Sequence, residues 1–314
     1  MSTQQLIPLE NGLSVVIPVY YSEAILPILI EKLAKVLPTL KMDYEVILVN
    51  DGSADGSWRK ICMLSEEFDW VVGVNMMRNY GQHNATLCGI REAKYDVIVT
   101  MDDDLQNPPA EIPKLLDGLK NGADVVYGVA RRRGQVWWKS ASSAIVKRAI
   151  AFVMGARNVQ DIGAFRAFRT ELRHSFESFT GSDVLIDVLL SWGTTKFTSV
   201  EVDETTRKIG ESHYGFFKLI KVTLLVLTSF TTIPLRLASI LGLLFTLIGF
   251  LVFIYILVIY FTVGSIPGFP FLVSVITIFS GAQLFSLGII GEYLARVFER
   301  TGGKPAYTIS ERVN

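Results

Sequence analysis

Cysteine, histidine and net charge are all scarce in this chain of 314 residues. Its only cysteines, Cys62 and Cys88, have no metal-ligand spacing, and in a reducing compartment they make no structural disulfide. Thirty basic residues balance thirty acidic ones, so nothing in the charge predicts a nucleic-acid partner. There is no internal repeat and no low-complexity segment. Residues 1–11 lack a basic stretch followed by an apolar one, so no cleaved signal peptide is expected. The most informative absence is of charge itself: between Arg236 and Glu292 there is no Asp, Glu, Lys or Arg.

That uncharged region fixes one part of the architecture. Its halves, Leu237 to Val263 and Phe269 to Gly291, each exceed the roughly 20 apolar residues needed to cross about 30 Å of hydrocarbon as a helix. They read as two membrane spans joined by a tight turn, Gly264-Ser265-Ile266-Pro267-Gly268. Arg207, Lys208, Lys218, Lys221 and Arg236 precede the first span, and Arg296, Arg300 and Lys304 follow the second. The positive-inside rule then places both ends, and the large N-terminal part, in the cytoplasm, as expected of a multi-pass protein of the inner membrane. A transporter would want charged groups within its spans, and these have none. Gly242, Gly249, Gly281 and Gly288 allow close helix contact, as in a homo-oligomer.

Ahead of the spans, apolar runs alternate with amphipathic stretches. Strands are expected at Leu13 to Pro18, Tyr44 to Val49, Val71 to Asn75, Asp96 to Met101, Asp124 to Val129 and Phe197 to Val202. Helices are expected over residues 23–40, 55–68, 81–93 and 183–191. This is the pattern of parallel βαβ units, whose ligands collect at the carboxyl ends of strands. Two acidic sites lie at such ends. Asp51, in Asn50-Asp51-Gly52-Ser53, is either a turn residue or an acceptor for a nucleobase N–H. The second is Met101-Asp102-Asp103-Asp104-Leu105-Gln106-Asn107-Pro108-Pro109. In extended chain, alternation turns Asp102, Asp104 and Gln106 to one side and Asp103 to the other. Clustered oxygens of this kind suit Mg2+ or Mn2+, which in turn bind a diphosphate.

Other segments keep two readings open. Gly81, in Arg78-Asn79-Tyr80-Gly81-Gln82-His83, is a flexible helix start or an N-terminus facing phosphate, and His83 reads as a capping or packing residue. Arg131-Arg132-Arg133 is a solvated face or a diphosphate clamp. Val136-Trp137-Trp138-Lys139, leading into Ala144 to Met154, is an interfacial amphipathic helix or a core helix. The basic loop Arg207 to Tyr214 is a linker or a lipid-phosphate site, and Phe216 to Phe230 reads as a helix along the membrane.

Together these residues resemble the membrane-anchored polyprenyl-phosphate glycosyltransferases, family 2 enzymes of GT-A fold. The resemblance rests on Arg78 to His83, on the D-x-D-L-Q-N-P-P-x-E-I-P run from Asp102 to Pro113, and on G-E-S-x-Y at Gly210 to Tyr214. It covers nearly the whole chain. It implies an α/β fold: a Rossmann-like, nucleotide-sugar-binding GT-A domain over residues 1–213, a juxtamembrane amphipathic helix over 214–235, spans at 236–263 and 268–294, and a cytoplasmic tail over 295–314. It also implies roles. Asp102, Asp104 and Gln106 match metal and diphosphate positions. Pro18, Tyr20, Glu23 and Asp51 match the nucleotide pocket, and Arg131 a basic residue near the donor phosphates. Asp161, Arg166, Arg207 and Ser212 match loops around the acceptor phosphate, where Lys139 and His213 are also expected. Two positions depart from the family pattern: Tyr21-Ser22 replaces the usual Asn-Glu, with Glu23 one place later, and His213 stands where Lys is common.

The expected reaction is inverting, metal-dependent transfer from a nucleotide-sugar, a UDP-sugar, to undecaprenyl phosphate at the cytoplasmic membrane face. A processive polysaccharide synthase is the sibling reading, but Gln135-Val136-Trp137-Trp138 lacks the arginine of Q-x-x-R-W and only two spans exist. A non-catalytic membrane adaptor with a degenerate GT-A domain is the third. It draws support from the two departures and is opposed by intact Asp102, Asp104 and Gln106.

Overall fold

The computed structural model describes residues 12–130, 163–203, 232–264 and 268–314. Its described residues fall into two compact units, one within Met1–Ile220 joined by Gly303–Asn314, the other within Lys221–Gly302.

The first unit is built on β1, Leu13–Val19, whose seven side chains are all buried. A run with no exposed face belongs in the middle of a parallel sheet covered by helices on both sides. β1 pairs in parallel with β2, Tyr44–Asn50, on one side and with β4, Val97–Thr100, on the other. β3, Val71–Met76, extends the sheet beyond β2. The remaining strands are β5 (Val125–Ala130), β6 (Arg166–Arg169), β7 (Phe197–Val202) and β8 (Ile309–Val313). The order across all eight is β7-β5-β6-β4-β1-β2-β3-β8, with β6 and β8 antiparallel to their neighbours β4 and β3.

Alternation along β1 assigns its two faces. Leu13, Val15, Ile17 and Val19 join one apolar cluster with α1 (Leu26–Val36), α2 (Ser57–Glu67) and α4 (Ile112–Lys120). Val16 points to the other face, against α3 (Gln82–Glu92). There Gly89 is required: a Cβ on it would stand 2.4 Å from Val16 Cγ1 and 3.1 Å from Val49 Cγ2. A short helix, α5 (Ile186–Gly193), packs near α3 on that side.

The second unit is a pair of long helices, α6 (Ile233–Val263) and α7 (Phe269–Thr301). The Phe245 and Phe279 rings meet edge to face at 5.8 Å, and a Cβ at Gly249 would lie 3.1 Å from Phe279, so this glycine already serves a contact within the pair. Pro234–Ile256 and Ile278–Phe298 are each long and apolar enough to cross a membrane, with mean hydropathies of 2.7 and 1.3. Only 6% and 0% of these stretches is buried, whereas a core helix of a soluble protein would be mostly covered.

Four expectations need correction. The strand expected over Asp96 to Met101 ends at Thr100, because the chain turns as soon as the carboxylates begin. The helix expected over residues 23–40 runs from Leu26 to Val36 and finishes as a 3-10 turn at Leu37–Leu40, where Pro38 lies. Residues 295–314 are not a tail: α7 continues to Thr301, and Ile309–Val313 is an edge strand of the eight-stranded sheet. α4 and β6 were not anticipated at all. The amphipathic stretches at 136–154 and 216–230 lie outside the described residues.

The tight seat of α3 gives a test. Gly89→Val should lower stability by about 1–3 kcal/mol through overpacking, read as a fall of several degrees in the thermal unfolding midpoint of the purified protein. An unchanged midpoint would contradict the packing described.

Candidate active site

Strand order reverses at β1: from it the chain steps outward through β2 and β3, then returns to place β4 on the opposite side. The carboxyl ends of β1 and β4 therefore lie side by side at the switch in strand order, which is where an open α/β sheet binds ligands. The carboxyl end of β1 supplies Pro18, Val19 and Tyr20, and that of β4 runs into Asp102, Asp103 and Asp104.

Asp103 ties the two ends together. Its Oδ2 accepts hydrogen bonds from the Ser22 hydroxyl and, at 3.3 Å, from the Tyr20 backbone N–H. Burial raises its pKa above the usual 3.8, the bonds from Ser22 and Tyr20 oppose that rise, and the neighbouring Asp104 charge adds to it. Asp103 is thus tied to the loop that leaves β1.

The acidic run itself is a turn rather than extended chain. Leu105 has φ +59°, and Asp104 Oδ1 accepts from the Gln106 N–H at 3.1 Å, closing an Asx turn. Strand alternation is thus not what aims Asp102, Asp104 and Gln106. Asp102 is oriented instead by Gln82 at the start of α3, whose Nε2 donates to its Oδ1. Among the described residues no group of three or more His, Cys, Asp or Glu side chains is poised around a common point. Two hard carboxylates without a protein cage fit a divalent ion of the Mg2+ type, which takes one or two carboxylates and completes its shell with substrate phosphate and water.

Asp51 lies 3% exposed at the end of β2. Its oxygens accept from the backbone N–H groups of Tyr80, at 2.7 Å, and Gly81, at 2.9 Å. Burial raises its pKa and these two bonds act against the rise. A carboxylate has about four acceptor positions, so lone pairs remain for a nucleobase N–H. Gly81 has φ +96°, a conformation that suits glycine, and with it starts α3.

Glu23 turns to a different task. Its Oε2 accepts from the Gly56 N–H at 3.0 Å, at the start of α2, and its Oε1 pairs with Arg59 at 3.4 Å. Arg166 also departs from expectation. It lies on β6 rather than in a loop, is 2% exposed, and donates through NH1 to Asp187 Oδ1 and through Nε to Thr100 Oγ1 at 3.0 Å. The same Asp187 oxygen accepts from the Tyr127 hydroxyl at 2.9 Å. Buried, with NH1 and Nε bonded to interior partners, this guanidinium is turned into the fold and not out toward an acceptor loop. His83 is half-buried, and burial holds its imidazole pKa below 6.5, as suits a packing residue. Arg131, Lys139, Asp161, Arg207, Ser212 and His213 lie outside the described residues.

Comparison with known proteins settles the family. The family model for Glycosyl transferase family 2 matches residues 14–176. The chain belongs to glycosyltransferase family 2. Among curated relatives, the undecaprenyl-phosphate 4-deoxy-4-formamido-L-arabinose transferase of Proteus mirabilis is 36% identical over 311 residues, covering 96% of this chain and 94% of that protein. The transferase of the same name from Aeromonas hydrophila is 35% identical over 96% of this chain and 93% of its own. Among solved structures, glucosyl-3-phosphoglycerate synthase from Mycobacterium tuberculosis, in complex with Mn2+ and UDP-glucose, superposes with a TM-score of 0.50 at 18% identity, covering 69% of this chain and 77% of that one. That likeness shows the GT-A fold. The protein is a glycosyltransferase.

Sequence reasoning missed Gln82 as the partner of Asp102, although it sits inside the Arg78-to-His83 motif. It also missed Ser22 as the partner of Asp103, which only the sheet topology brings together.

Two outcomes test the site of this glycosyltransferase. Arg166→Met, which strands Asp187 in the interior, should cost about 3–5 kcal/mol in urea unfolding, and pairing it with Asp187→Leu should recover most of that loss. Asp103 has a folded-state pKa above its unfolded one, so its contribution to stability is complete below pH 3.8 and is lost as pH rises through the folded value. Asp103→Asn should therefore match the parent near pH 3.5 and exceed it at pH 7; equal midpoints at both would contradict the burial described.

Proposed function

We propose that this glycosyltransferase moves a sugar from a UDP-sugar to undecaprenyl phosphate at the cytoplasmic face of the inner membrane, with inversion at the anomeric carbon and with Mg2+ or Mn2+. The observation that carries this reading is that Asp51 follows β2 and Asp102 to Asp104 follow β4, at the carboxyl ends of the two strands flanking β1, in a chain that also carries two membrane-length apolar helices. Relatives named for undecaprenyl phosphate, similar over almost the whole chain including those helices, support the lipid acceptor. A fold neighbour solved with Mn2+ and UDP-glucose supports the donor and the ion.

Asp51 and the backbone at Pro18 and Tyr20 would bind the nucleoside, and Asp102 and Asp104 would hold the ion against the diphosphate. When bound, the ion supplies charge to the departing diphosphate, which is the costly part of the reaction. The acceptor phosphate oxygen attacks the anomeric carbon from the side opposite the leaving nucleoside diphosphate. That oxygen is already ionised at neutral pH, so the protein need not remove a proton from it. Asp161 accordingly positions the acceptor or the ion, and Arg131 stabilises the diphosphate. Lys139, Arg207, Ser212 and His213 would meet the lipid phosphate, with His213 contributing more when protonated. Basic groups flanking the apolar helices support a cytoplasmic orientation by the positive-inside rule.

Asp104→Ala tests the assignment. In membranes carrying equal amounts of protein, the variant should lose at least about 100-fold in transfer to undecaprenyl phosphate while still fractionating with the membrane. Near-normal transfer by the variant would remove Asp104 from the site.

A further inference from the structure

The last residues of the chain return to the donor side of the sheet. β8 pairs with the open edge of β3 in the register Gly73↔Val313, Val74↔Arg312, Asn75↔Glu311 and Met76↔Ile309, and the Met77 N–H donates to the Thr308 carbonyl at 2.9 Å. Side chains reinforce the pairing. Trp58 Nε1 donates to Glu311 Oε2 at 3.0 Å, and Arg312 grips Glu92 through Nε and NH2, both at 3.0 Å. Asn314 Nδ2 donates to the carbonyls of Asp69 and Val71, each at 2.9 Å. Gly73 leaves the room this needs, since a Cβ there would stand 2.6 Å from Val313 Cγ2.

Covering an edge strand would by itself explain a strand here. The contacts go further, because they end on the loop that orients Asp51. The Thr308 side chain lies close enough to the Tyr80 hydroxyl to lower its pKa, and the Arg78 guanidinium lies 4.5 Å from the centre of the Tyr80 ring. Tyr80 and Gly81 are the residues whose N–H groups hold the Asp51 carboxylate. The same loop crosses Gly52 so closely that a Cβ there would stand 2.4 Å from Asn79 N. Two links thus run from Thr308 to Asp51, one through the backbone at Met77 and one through the Tyr80 side chain.

We propose that the C-terminal segment Thr308–Asn314 is a positioning element of the nucleotide pocket, fixing the Met77–Gly81 loop so that Tyr80 and Gly81 hold Asp51 in its binding orientation. This rests on the reading of Asp51 as a nucleoside contact. The segment follows α7 directly in the chain, so the pocket is braced by the part of the protein that leaves the apolar helices.

The test uses the full-length protein in detergent, a truncation lacking Ile309–Asn314, and Tyr80→Phe, which removes only the hydroxyl. UDP affinity is measured by calorimetry, and donor KM, acceptor KM and kcat by transfer assay. The truncation should weaken UDP binding and raise donor KM about tenfold with acceptor KM unchanged, and a peptide spanning residues 304–314 should restore both by adding back the strand. Tyr80→Phe should raise donor KM about three- to tenfold, through loss of the polar contact between its hydroxyl and Thr308, at an unchanged melting midpoint. Should the truncated chain fail to fold, Tyr80→Phe decides. Wild-type UDP affinity in the variants overturns this proposal alone, and so does a parallel rise in donor and acceptor KM. No UDP binding by the unaltered chain overturns the functional reading and this proposal with it.

Discussion

The position of β1 governs the rest. Among the described strands it alone pairs in parallel on both sides with strands that come later in the chain, β2 and β4, and every one of its side chains is buried. Those two conditions bring the carboxyl ends of β2, β1 and β4 side by side, the edge at which an open α/β sheet collects ligands. The site follows from that geometry and not from the acidic residues alone. The same Asp-rich run at the other end of the sheet would be a solvated turn.

Holding negative charge at this edge is expensive, and the protein offsets the cost with specific donors. Asp51 has two backbone N–H groups, Asp103 has a hydroxyl and an N–H, and Asp102 has the Gln82 amide. For Asp51 and Asp103 burial still outweighs the donors, so both keep a raised pKa and an appetite for positive charge nearby. Arg166 and Asp187 neutralise each other in the interior, where the Tyr127 hydroxyl donates to the same Asp187 oxygen and Thr100 accepts from Arg166 Nε. A buried pair of this kind adds little net stability but penalises any rearrangement that separates its members. It ties α5 to β6, while the bond from Arg166 Nε to Thr100 ties β6 to the end of β4 just before the acidic turn.

What could be read from the sequence was whatever periodicity and motif chemistry announce. Strongly β-branched runs gave β1 to β4, charge-free length gave α6 and α7, and the long acidic motif gave the site. What stayed hidden had no such signature. β6 is four residues, Arg166–Arg169, half of them arginine, and nothing local says that Arg166 is buried; the ion pair with Asp187 is formed across the fold. β8 carries polar Ser310, Glu311 and Arg312 as an edge strand does, and coming after the spans it resembled a tail. The Asp102-Asp104 turn was read as extended because alternation is a rule for strands, and Leu105 at positive φ ends the strand geometry at once. Glu23 was matched to a nucleotide position by motif alone, whereas the start of α2 claims its carboxylate.

The account as a whole is that a soluble activated sugar and a lipid-anchored phosphate are brought to one site. The measurement that tests this most directly is the mass of the lipid formed when purified protein is incubated with undecaprenyl phosphate, Mg2+ or Mn2+, and a panel of UDP-sugars that includes UDP-glucose and the 4-deoxy-4-formamido-L-arabinose donor. The account predicts an ion-dependent product heavier than undecaprenyl phosphate by one sugar residue, with free UDP released in equal amount. Release of free sugar with no lipid product from any donor, or no turnover of any donor, would contradict it.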